Sequence, residues 1–161
     1  MACAGHDSYD SHGSHGSYAT APPHDLADAA AFKHLVLGAS AVVYNNASSG
    51  IYAAKLMDKL GLAPIIGSKI VVVKSGAAIM EYVAEHPPAA VGLAQISEIM
   101  VLIAKGCAVR LAAPLPDEIQ NSTTYFAAVM PDAAAAQTAG SLVRFLTTPA
   151  AKSAFAATGI D

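Results

Sequence analysis

Residues 44–52 read Tyr44-Asn45-Asn46-Ala47-Ser48-Ser49-Gly50-Ile51-Tyr52. The apolar run Ala41-Val42-Val43 leads into this polar turn as a strand. Beyond it Ile51, Ala54, Leu56, Met57 and Leu60 recur at helical spacing, so the turn opens a helix. A strand–turn–helix junction rich in Ser, Asn and Gly leaves backbone N–H groups without partners at the helix start. With the positive end of the helix dipole they suit an anionic oxygen. The plainer alternative is that Ser48 or Ser49 is an N-cap serving only its own helix.

Working outward, the pattern repeats. The first helix runs from about Ser49 to Leu60 and is closed by Gly61. Lys69-Ile70-Val71-Val72-Val73 is a β-branched run expected to be a strand buried on both faces. Lys74-Ser75-Gly76 follows, then a helix from about Ala77 to Glu85, stopped by His86-Pro87-Pro88. Ala90–Ala94 is a third strand, and Gln95-Ile96-Ser97-Glu98 starts a short helix through about Leu102. Val109–Ala112 reads as a fourth strand. The expected class is therefore α/β, a mostly parallel open sheet flanked by helices. Thr123–Val129 reads as a further strand, followed by an Ala-rich helix from Pro131-Asp132 to about Leu146 and a last helix from Thr148 to Ala157, ended by Gly159.

Residues 1–30 differ. His6, Asp7, Asp10, His12, His15 and His24 sit among Ser, Gly, Tyr and Pro with almost no aliphatic residue, and the block is expected to be disordered. Its histidines have ligand chemistry but nothing that fixes a geometry, so no metal site and no cofactor is assigned. The stretch from Ala27 to Leu37 is either a short helix or a ragged lead into the first strand. The expected organisation is a tail over 1–30, an α/β ligand-binding lobe over 31–113, and a return segment with C-terminal helices over 114–161.

Composition narrows the classes. The 161 residues are 54% hydrophobic and 13% charged, with mean hydropathy +0.44, but the longest apolar run, Val91 to Ala104, is interrupted by Gln95, Ser97 and Glu98. A net charge of −3 without a basic patch argues against nucleic acid. Cys3 and Cys107 make neither a disulfide framework nor a metal site and are expected as free thiols. Met1-Ala2-Cys3-Ala4-Gly5 has no basic and apolar export signal, so the chain as written is expected in the cytoplasm.

Three strands end in polar turns that start helices: Asn45–Gly50, Lys74–Gly76 and Gln95–Glu98. In an open parallel sheet these ends share one edge, where ligands bind. The candidate ligand-binding residues are Ser48, Ser49, Gly50, Ser75, Gly76 and Gln95, a neutral hydrogen-bonding set suited to an oxyanion or carboxylate. Ser75 and Ser97 are alternatively helix caps, Gln95 a satisfied strand-end amide, and Glu98 a first-turn residue that favours the helix dipole. No nucleophile–base pair, Walker A or GxGxxG motif is present, and an enzyme is not expected.

At these residues the sequence resembles the periplasmic solute-binding proteins of ABC transporters, nearest the molybdate-binding type with a type II periplasmic-binding fold. Ala47–Leu56 followed by Leu60-Gly61-Leu62 resembles the family's SSG-x-Y-x-x-K-L…LG turn and helix. Val91–Ile99 resembles its I-G-x-x-Q-x-S-E-I junction, Leu115–Gln120 its L-P-x-E-x-Q return segment, and Val143–Ala151 its closing F-L-x-S-P-E-A helix. The resemblance covers about Ser40 to Asp161. It implies two α/β lobes around a cleft, with ligand contacts near Ser49 and Gly50, near Ser75 and Gly76, and at Gln95. The 31–113 lobe then corresponds to the second lobe, with most of the first replaced by the His/Ser-rich block. Molybdate binders carry a tyrosine where Gln95 stands. The implied partners are a small anionic ligand, an ABC transporter permease if the chain is exported, and a second copy of the chain for the C-terminal helices. The rival expectation is a cytosolic self-associating interaction or sensor module that has lost transport function.

Overall fold

The computed structural model describes residues 2–5, 26–86 and 89–160. The histidine and aspartate cluster from His6 to His24 lies outside the described residues. Contacts divide the chain into two compact units, Met1–Gln120 and Asn121–Asp161.

The first unit is a five-stranded sheet with helices on both faces. Its elements are β1 (Ala2–Gly5), α1 (Ala29–Gly38), β2 (Ala41–Asn45), α2 (Ser48–Lys59), α3 (Ala63–Ile66), β3 (Ile70–Val73), α4 (Gly76–Glu85), β4 (Ala90–Leu93), α5 (Ile96–Ala104) and β5 (Val109–Ala113). The strand order is β3-β2-β4-β1-β5. β2 is parallel to both β3 and β4, whereas β1 is antiparallel to β4 and to β5, so four strands run one way and β1 alone runs against them. The mixed α/β, mostly parallel architecture is the one the sequence pattern implies.

Alternation along β2 builds two cores. Val42 and Tyr44 point into a cluster with Phe32 and Val36 of α1, Leu56 and Met57 of α2, Ile66 of α3, and Leu115 and Ile119. Ala41 and Val43 point the other way, onto Ile79, Met80 and Val83 of α4 and Ile99 of α5. A strand whose successive side chains meet neighbours on both faces is buried throughout, which is why β2 and β4 carry no exposed residue and are apolar except at Asn45, the last residue of β2. Each helix buries only the stripe that faces the sheet.

Boundaries follow local chemistry. Asp28 caps α1 by accepting from Ala31 N–H at 2.8 Å, and Ser75 caps α4 by accepting from Ala78 N–H at 3.2 Å. α2 closes where Gly61 takes φ +70°, a left-handed conformation that glycine adopts without a Cβ penalty.

Three expectations are corrected. β3 is not buried on both faces: it pairs only with β2, and Val72 is 55% exposed, because a β-branched run encodes strand character but not rank in the sheet. Residues 2–5, placed by the sequence reading in a disordered tail, form β1. The return segment 115–120 packs with the first unit through Leu115 and Ile119, so the break falls after Gln120 rather than at 113/114.

The second unit contains α6 (Ala136–Leu146) and α7 (Pro149–Ala157). Thr148 caps α7, accepting from Ala151 N–H at 3.3 Å while its own hydroxyl donates to Phe145 O at 2.7 Å. The strand expected over Thr123–Val129 is not formed, and its Phe126 is 92% exposed. Its composition suits a strand, but strand conformation is held by ladder partners, and the described residues supply none there. The helix expected from Asp132 begins only at Ala136, after two turns.

Candidate functional site

Strand order and connection sides locate a crevice. From β2 the chain crosses through α2 to β3 on one side; from β3 it passes through α4 to β4 on the other side of β2. α2 packs in one core and α4 in the other. The order therefore reverses between β2 and β4, and in open α/β sheets ligands bind outside the carboxyl ends of strands at such a reversal. The residues after β2 and β4 are those that start α2 and α5. The turn after β2 is tied to the end of β3 by Asn46 N–H donating to Val73 O at 3.1 Å.

At the start of α2 the organising side chain is Asn45, the last residue of β2 and only 4% exposed. Its Oδ1 accepts from Ala47 N–H (3.1 Å), Gly50 N–H (3.1 Å) and the Ser49 hydroxyl (3.3 Å). Neither Ser48 nor Ser49 is the N-cap; that position is Ala47, and Asn45 does the capping from the strand. Gly50 is buried because the strand's own carbonyl lies against it: a Cβ there would stand 1.5 Å from Asn45 O. Ser48 is exposed and Ser49 half-buried, so the first turn of α2 presents their polar groups at the sheet edge.

At the start of α4, Ser75 is spent on Ala78 N–H, and buried Gly76 faces a carboxylate. A Cβ on Gly76 would stand 2.2 Å from Glu98 Oε2. Glu98 belongs to the first turn of α5, so its negative charge serves two helix starts, its own and that of α4. This contact joins the second and third turns. Gln95 occupies the N-cap position of α5, half-buried and without a side-chain cap bond to that helix.

The structure thus brings Ser49 and Gly50 together on Asn45, sets Gly76 under Glu98, and places Ser48, Ser75 and Gln95 at the starts of α2, α4 and α5. The sequence reading did not single out Asn45. The signal was there, since an Asn in the turn before a helix commonly bonds the backbone two residues ahead of it. Glu98 was read only as a partner of its own helix.

Two ionisable groups among the described residues depart from their ordinary values. Burial pushes the Tyr44 hydroxyl above its ordinary range, and the Asp58 carboxylate adds to the rise. Burial likewise raises the Cys107 thiol, with Glu81 second, the opposite of an activated nucleophile. Tyr44 and Cys107 pack in the two cores, not at the edge. Among the described residues no three His, Cys, Asp or Glu side chains gather as a metal site.

Several residues of the four sequence motifs have a structural use. Tyr52 donates its hydroxyl to Ile119 O at 2.7 Å. Glu118 accepts from Ala29 N–H at the start of α1. Gln120 Nε2 donates to Leu115 O at 3.1 Å. The first two bonds fasten segment 115–120 to α2 and α1, and the third closes the segment on itself.

Among curated proteins none matches the chain significantly. A family model does: residues 13–161 match that of the bacterial extracellular solute-binding proteins. With nearly the whole chain matched, and an open α/β sheet whose helix starts converge at its strand-order reversal, the chain belongs to the bacterial extracellular solute-binding protein family.

Proposed function

We propose that the edge formed by the starts of α2, α4 and α5 holds a small oxyanion or carboxylate, as part of a substrate-binding component of an ABC transporter. The observation that carries this reading is the reversal of strand order between β2 and β4, which sets the α2 and α5 starts at one crevice. Ser48 presents an exposed hydroxyl at the start of α2 and Gln95 stands at the start of α5, neutral groups of the kind that bind anions by dipoles rather than by ion pairs. Glu98, over Gly76, makes the α4 arm the less receptive of the three. Gln95, where molybdate binders carry tyrosine, favours an organic acid or another oxyanion equally with molybdate. A transporter permease is the partner this role requires.

The test is a thermal-shift screen of the full chain against molybdate, sulfate, phosphate and citrate. A ligand that binds only the folded state raises the midpoint as its concentration passes the dissociation constant. A rise that is lost in Ser49→Ala and in Gln95→Ala supports the assignment. A cooperative melt unmoved by every anion, or a rise that both variants retain, overturns it.

A further inference from the structure

The least strand-like sequence in the sheet holds an interior position. Residues 2–5 read Ala-Cys-Ala-Gly, without a β-branched or aromatic residue, and alanine and glycine are poor strand formers. Yet β1 lies between β4 and β5, antiparallel to both, with Ala4 opposite Val91 on one side and Arg110 on the other. Propensity does not account for this placement; the gap does. β4 and β5 pair with β1 and not with each other, so the space between them is one strand wide. Left empty, both would turn ladder N–H and C=O groups into it without partners. Any extended backbone inserted there satisfies groups on both sides at once. The helix α4 lies close across β1, and Cys3 is in register with Gly92. Twenty residues of sequence, 6–25, separate β1 from Leu26.

We propose that the slot between β4 and β5 is a strand-acceptor site for an extended, small-residue peptide running antiparallel to both strands. Residues 2–5 fill it within the same molecule, and the same sequence supplied separately can replace them. The main chain provides the affinity, and the closeness of α4 provides the preference for small side chains. A tethered strand competes at an effective concentration on the order of millimolar, so the wild-type slot stays closed to external peptide at lower concentrations. This site is separate from the helix starts and does not depend on what they bind.

Ala4→Pro opens the slot in the full chain, because proline removes a ladder donor and is excluded from interior strands. The probe is the pentapeptide Met-Ala-Cys-Ala-Gly, amidated and kept reduced, titrated up to millimolar against wild type and variant while the thermal midpoint is read. The expected result is a lowered midpoint for Ala4→Pro that climbs back with peptide, a wild-type midpoint that does not move, and no effect of a peptide carrying the same proline. If Ala4→Pro has no melt of its own, the return of a cooperative melt on adding peptide supports the proposal, and its failure to return overturns it. A folded variant indifferent to peptide, or equal shifts in wild type and variant, also overturns it.

Discussion

The same substitution at Gly50 and Gly76 should have opposite consequences. Both glycines lie in the first turn of a helix that follows a strand, and both are buried. At Gly50 an added Cβ meets the Asn45 carbonyl, with O at 1.5 Å and C at 2.5 Å. These are backbone atoms of β2, the central member of the parallel run, and they cannot reach ordinary contact unless β2 and α2 separate. Overpacking a rigid site costs typically 1–3 kcal/mol and sometimes more. Separation would also strain the Gly50 N–H bond to Asn45 Oδ1, worth about 1 kcal/mol, so Gly50→Ala should cost roughly 2–4 kcal/mol. At Gly76 the added Cβ meets only Glu98, at 2.2 Å from Oε2 and 2.6 Å from Cδ. Glu98 is exposed and its carboxylate can swing aside, giving up a helix-dipole contact of about 0.3–1 kcal/mol. Alanine's better helix propensity returns up to about 1 kcal/mol. Gly76→Ala should therefore be close to neutral. For a chain of this length 1 kcal/mol moves the midpoint by about 2–4 °C. Circular dichroism melts should show Gly50→Ala lower by roughly 4–16 °C, or unable to fold, and Gly76→Ala within about 3 °C of wild type. Equal losses in both variants, or a Gly50→Ala midpoint close to wild type, would refute the reasoning.

Other outcomes follow from single contacts. Tyr52→Phe removes the hydroxyl donor to Ile119 O and should cost about 1 kcal/mol, with faster amide exchange confined to residues 115–120 and their partners. Glu98→Gln removes the charge over Gly76 and should tighten binding of whichever anion the thermal-shift screen identifies; unchanged or weaker binding would show that Glu98 does not oppose the ligand. Tyr44 titrates above its ordinary value near 10, so its contribution to stability is complete below that value and is lost as pH rises through the higher folded value. Urea midpoints measured from pH 8 upward should fall in the alkaline limb for wild type, and less steeply for Tyr44→Phe.

What the sequence made legible is what short-range chemistry decides. Ser75 before a helix and Gly61 after one are local devices: Gly61 ends its helix as expected, and Ser75 makes the cap bond that was the alternative to ligand binding. β2 and β4 were readable because each is a short apolar run that leads into a polar turn. The Ile70–Val73 run carried the same signature but lies at the sheet edge, since rank is set by how the whole sheet assembles. β1 was illegible for a related reason: its four residues form a strand because of where they are held. Thr123–Val129 is the converse, strand-like residues without a ladder partner among those described. At the candidate site the helix starts were legible, but the side chains already seated on them were not. That Asn45 gathers three donors, and that Glu98 crosses to the start of another helix, depend on distances between elements that residue spacing does not encode.

β3 also bears on how the protein keeps in solution. Ile70-Val71-Val72-Val73 has one neighbour in the sheet, so one side of its backbone is a template on which another chain could add a strand. Four β-branched residues in a row, one largely exposed, are the composition that favours such growth. The strand is kept short, and a lysine stands at each end. Lys69 donates its ammonium to Leu37 O at 3.0 Å, pinning the strand's beginning, while Lys74 is exposed beside its end. An incoming copy aligned in register would bring like charges together at both ends. Lysines so placed are the residues that natural edge strands use against fibrillar stacking, a matter of colloidal stability that lies apart from ligand binding.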